Sequence, residues 1–120
     1  MSRSTPYLNK PPAYFAGALE SMRNTPLYLM SRIGPSVFAL KGEGRSAKTH
    51  KVYVGHAQRC TCGGGDARGE LCIHLLYVMV KVLRVAEEDP LVWQLGLVEG
   101  EVDSILAGRR GEGGGGQEGV

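Results

Sequence analysis

Cysteine is scarce in this chain of 120 residues, which has only Cys60, Cys62 and Cys72. Three thiols cannot all pair within one chain, so a disulfide framework is a poor reading and the thiols are expected to be reduced. Long apolar runs are missing as well. The longest, LLYVMV, is far too short to cross a bilayer. No charged segment followed by an apolar run and a cleavage site opens the sequence. These absences predict an intracellular protein, cytoplasmic or nuclear, with no membrane partner. No nucleophile–base set stands out, so an enzyme is not expected. GGGDARG has no Gly-Lys-Ser/Thr after it, which excludes a phosphate loop and leaves a flexible spacer. Core-forming residues are sparse at both ends. The opening MSRSTPYLNKPP has three prolines, and the closing RRGEGGGGQEGV has one apolar residue in twelve. Residues 1–24 are accordingly expected to be loosely ordered and 109–120 disordered. That leaves roughly 90 residues for a core, a size at which metals or disulfides often help.

Charge is present but uneven. Residues 1–60 carry nine Lys/Arg against two Glu, and residues 61–120 carry five against ten acidic groups. The basic half could face nucleic acid or an acidic partner, through Lys41, Arg45, Lys48, Lys51 and Arg59. It could equally be neutralised by the acidic half within the fold.

The local patterns predict an α+β module. AYFAGALESM is weakly amphipathic. In NTPLYLMSRIGP, Thr25 suits an N-cap, Pro26 a first helical residue, Gly34 and Pro35 a stop, so a short helix is expected. VFAL and KVYV then read as a two-stranded antiparallel hairpin around a polar tip. From Glu70, ELCIHLLYVMVKVLRV repeats apolar residues at helical spacing and should be the core helix. Asp89-Pro90 restarts a helix through LVWQL, and GEVDSILAG offers a last one.

All three cysteines and one histidine fall within CTCGGGDARGELCIH, as C-x-C and C-x-H. Thiolate and imidazole suit Zn²⁺ in a tetrahedral site. On a helix, residues i and i+2 point about 200° apart, so C-x-H can close on one ion only if Cys72 precedes the first turn with non-helical dihedrals. Cys60, Cys62, Cys72 and His74 are therefore the expected ligands, with Thr61 and Ile73 turned away. His56, four residues before Cys60, is a rival fourth ligand or a supporting group, and His50 reads as an ordinary strand residue. Four protein ligands leave no open position, which favours a structural metal over a catalytic one.

With those ligands placed, VFALKGEGRSAKTHKVYVGHAQRCTC and GELCIHLLYVMVKVLRV resemble the hairpin and helix of a SWIM-type zinc finger. LVWQLGLVEGEVDSILAG is similar to the segment after SWIM in the SWIM–RING ubiquitin ligases and the related MAP kinase kinase kinase. The resemblance covers about residues 33–107 and implies a zinc-finger domain over 25–108, with a role in protein–protein interaction. A RING would need further zinc ligands, and no cysteine follows Cys72 and no histidine follows His74. A RING-less relative or fragment, without ligase activity of its own, is the expectation. Other SWIM proteins suggest the alternative of nucleic-acid binding.

Overall fold

The computed structural model describes residues 6–42, 48–63 and 69–107. Arg45, the spacer residues 64–68 and the 109–120 tail lie outside them. The described elements are α1 (Phe15–Asn24), β1 (Leu27–Gly34), β2 (Val37–Gly42), β3 (Thr49–Tyr53), β4 (Arg59–Cys60), α2 (Ile73–Tyr77) and α3 (Glu99–Leu106). A π-helical turn, Val78–Val82, prolongs α2, and Pro90–Trp93 form a 3₁₀ turn. The four strands make one antiparallel sheet in the order β1-β2-β3-β4.

Three expectations are corrected. The Thr25–Gly34 segment is a strand rather than a helix, and the expected two-stranded hairpin is the middle of a four-stranded sheet. The Thr25 hydroxyl, read as an N-cap, instead donates to the carbonyl of Ser21 at the end of α1, 2.7 Å away. Thr25 itself is extended (φ −107°, ψ 120°), as the residue before a proline prefers. Pro26 thus launches a strand. LVWQL also stops short of a helix. Asp89 accepts from Leu91 N–H and Pro90 follows, but after one 3₁₀ turn Gln94 is extended.

The inward face of the sheet follows from its register. Phe38 lies opposite Val52, and Leu40 opposite His50, so Phe38, Leu40 and Val52 share one face. They are fully buried, together with Leu75, Leu76, Val78 and Met79 from the α2–π segment. Each such apolar side chain contributes about 1.5–3 kcal/mol on burial. α1 completes the layer. Its Phe15, Leu19 and Met22, spaced i, i+4 and i+7, join this cluster, and Phe15 meets Trp93 edge-on at 5.2 Å. Composition gave no sign that residues 15–24 are ordered, yet Phe15, Leu19 and Met22 belong to the buried core.

The stretch before α1 is tied to the 3₁₀ turn by one buried amide. Gln94, with no exposure, accepts from Leu8 N–H at 2.8 Å and donates to the Leu8 and Pro90 carbonyls at 2.7 and 2.9 Å. Trp93 Nε1 donates to the same Leu8 carbonyl at 3.1 Å. No described helix is long and apolar enough to cross a membrane.

Candidate metal centre

Two pieces of backbone converge where β4 ends and α2 begins. Cys60 closes β4 opposite Val52 and is buried. The chain then turns: Gly63 N–H donates to the Cys60 carbonyl at 2.9 Å, and Gly63 takes φ +101°. That φ is disfavoured for residues with a Cβ. The turn brings exposed Cys62 back beside Cys60. Thr61 faces elsewhere, since its hydroxyl accepts from Lys51 N–H at 3.0 Å while its own N–H donates to the Lys51 carbonyl.

The second arm is fixed by α1. Leu71 N–H donates to the Tyr14 hydroxyl at 2.9 Å, anchoring the chain just before Cys72. Burial raises the Tyr14 pKa and keeps this phenol protonated. Cys72 is extended (φ −90°, ψ 173°) and sits at the N-cap of α2. His74 occupies the first turn. The non-helical N-cap is what allows C-x-H to converge.

The ligand atoms of Cys60, Cys62, Cys72 and His74 lie within 4.8 Å of one another. Cys72 Sγ is 3.7 Å from His74 Nδ1. In a zinc tetrahedron with Zn–S bonds of about 2.3 Å, neighbouring sulfurs sit about 3.8 Å apart. The four side chains therefore fit a tetrahedral ion after small inward shifts, and the S₃N donor set suits Zn²⁺.

The electrostatics favour a cation there. The hydrogen bond with Cys60 is the largest influence on Cys72 and outweighs its burial, holding that thiol down to about 4; the contact with His74 adds to the effect. The same bond, seconded by burial, pushes Cys60 upward. The two thiols thus titrate as a pair, Cys72 pulled down and Cys60 pushed up. A dication among these sulfurs would favour the thiolate form of each.

His50, read from the sequence as an ordinary strand residue, does sit in β3 but also touches the cluster. Its ring lies 4.7 Å from that of His74, centroid to centroid, tilted by 40°, and its Nδ1 is 3.3 Å from Thr61 Oγ1. Burial, followed by the charge of His74, lowers its pKa, so His50 favours its neutral form. The sequence signal was its i, i+2 spacing from Val52 on the inward face of β3, but its meeting with His74 becomes visible only with the fold. His56 is not one of the four. It lines a cleft of about 360 Å³ with Val54, Leu97, Glu99 and Asp103. A second cleft, of about 430 Å³, adjoins the cluster between α1 and the start of α2, lined by Tyr14, Ser21, Cys62, Glu70, Cys72 and His74 among others.

No family model matches the chain, and no solved structure matches it. Curated relatives do. The chain is 40% identical over 80 residues to mitogen-activated protein kinase kinase kinase 1 of Mus musculus, a match covering 67% of this chain and 5% of that protein. It is 37% identical over 82 residues to the E3 ubiquitin-protein ligase Zswim2 of Mus musculus, covering 68% of this chain and 13% of the ligase. The human ZSWIM2 ligase is 32% identical over the same length. The chain thus spans a small part of each relative it matches.

Proposed function

We propose that this chain is a SWIM-type zinc module whose role is protein–protein interaction in a ubiquitin-ligase-related setting. Zn²⁺ would be held by Cys60, Cys62, Cys72 and His74, joining β4 to the start of α2. The observation that carries this reading is the convergence of those four ligand atoms at the junction of sheet and helix. The similarity to an E3 ubiquitin-protein ligase supports the setting. Four protein ligands fill a tetrahedron, so the ion would be structural, supplying folding energy and no open position for chemistry. All three thiols belong to this one cluster. The chain by itself is therefore expected to be no enzyme and to build no ubiquitin chains with purified conjugating enzymes. Metal analysis of purified protein tests the central point: one zinc per chain is expected, and a folded, metal-free protein would refute the reading.

Nucleic-acid binding is the second reading, and one observation favours it. Lys41, Lys51, Tyr53, Arg59 and Tyr28 share the outward face of the sheet, as their register with Thr49, Ala39, Val37 and one another requires. Cations interleaved with aromatics can track a backbone and stack bases. Binding of a labelled oligonucleotide that weakens steeply with salt would support it; salt-independent or absent binding would dismiss it.

A further inference from the structure

The interaction reading leaves open which surface meets a partner, and β1 stands out. It is paired on one side only, to β2, and its other edge carries no strand among the described residues. Four large apolar side chains on it are exposed: Tyr28 50%, Leu29 42%, Met30 55% and Ile33 55%. An exposed apolar edge strand is a template for pairing with another chain, and proteins normally blunt such edges with Lys, Pro or bulges. LYLMSRIG has neither Lys nor Pro. Its one cation, Arg32, is laid over the Phe38 ring at 5.0 Å. Bulges are present, since the register slips beside Met30 and Ile33. Yet those are the two most exposed apolar residues of the strand, so the bulges aim apolar groups outward.

Charge narrows the partner. From Leu27 to Cys60 the described residues include Arg32, Lys41, Lys48, Lys51 and Arg59, with no Asp or Glu. Tyr28 lies directly opposite Lys41. A second copy of this chain would set two basic sheets side by side, which like-charge repulsion opposes. An acidic strand would be attracted.

We propose that β1 is a docking edge to which an extended segment of a partner protein, alternating apolar and acidic side chains, adds as a fifth strand. Main-chain hydrogen bonds to the β1 edge supply affinity. Contacts with Leu29, Met30 and Ile33, and acidic side chains beside Lys41, supply selectivity. The proposal rests on the interaction reading and names the class of partner.

The test pans a displayed library of random dodecapeptides against the purified full chain, with metal content measured on the same preparation. Recovered peptides should interleave Asp or Glu with Val, Ile, Thr or Tyr, and should slow amide exchange along 27–34 when bound. The double variant Met30→Lys, Ile33→Lys should keep its metal content and amide dispersion but lose about tenfold or more in peptide affinity. The proposal is overturned if nothing is recovered, if the recovered peptides lack acidic residues, or if the double variant binds them unchanged. It is also overturned if a concentration-dependent dimer covers β1, or if a single-stranded oligonucleotide outcompetes every peptide. A metal-free protein that binds such peptides at β1 would refute the zinc reading alone. A zinc-loaded protein that recovers none would refute this proposal alone.

Discussion

At the scale of single residues, the three histidines separate cleanly. His74 Nδ1 faces Cys72 Sγ, His50 touches the His74 ring, and His56 lies in a different cleft. His74→Ala should therefore abolish tight zinc binding. His50→Ala should weaken it by about 10–100-fold, as loss of a group that orients a ligand does, and His56→Ala should leave it unchanged. Competitive zinc titration of the three variants reads this order; an equal loss for His56 would overturn the ligand assignment. Protons give a second check. The bond with Cys72, seconded by burial, pushes the Cys60 thiol upward, so zinc must displace its proton to bind the sulfur. Proton competition makes affinity fall as pH falls, about tenfold per pH unit for each proton released near neutrality. Calorimetry in buffers of different ionisation enthalpy should show at least one proton released per zinc. That Cys60, Cys62, Cys72 and His74 come together was legible in the sequence, because C-x-C and C-x-H restrict how the chain can turn between them. His50 was not, because its meeting with His74 depends on a pairing across two elements.

At the scale of elements, the error over 25–34 shows what local signals miss. Thr-Pro marks an N-cap when a helix follows and a strand entrance when a neighbouring strand is waiting. β2 decides it, since Phe38 and Leu40 lie opposite Arg32 and Leu29. Propensity yields there to tertiary pairing. The turn after β4 makes the opposite point, because a local requirement dominates. Gly63 has φ +101° with nothing near its missing Cβ, whereas Gly55 has equally open space and no positive φ. Gly63→Ala should then cost about 1–2 kcal/mol from backbone strain alone, and Gly55→Ala should be close to neutral. Paired denaturant melts of the zinc-loaded proteins check both. Equal effects would mean that the turn does not depend on its left-handed residue.

At the scale of the whole molecule, the Cys/His cluster and the apolar core meet. Cys60 is itself a member of the buried cluster, and Cys72 and Ile73 pack against it. Apparent binding energies of structural zinc are about 10–16 kcal/mol, against a total stability of about 5–15 kcal/mol for an ordinary domain. Chelation should therefore remove cooperative thermal unfolding, not merely lower its midpoint. A calorimetric transition that survives excess chelator would show that the core stands alone. The apolar helix and the two middle strands, read as VFAL and KVYV, were legible in the sequence, although both strands are longer into the polar tip than that reading. The involvement of residues 8–24 could not. Their tie to the far end is a Gln94 side chain that accepts from and donates to Leu8, and no pattern in either segment announces the other.

The π-helical turn is the feature with the widest reach. Leu83 N–H bonds the Val78 carbonyl five residues back, one more than an α-helix would use. The segment is in effect an α-helix holding a surplus residue, and that surplus can be given up. Deleting Val80 should let the stretch rewind as a regular helix, with His74 upstream and Leu83 downstream still pointing inward. Deleting Ile73 offers no such slack, because it would pull His74 onto the wrong azimuth of the first turn. The core helix therefore has one end where the sequence can lose a residue and one end where it cannot, and the Cys/His cluster lies at the end that cannot.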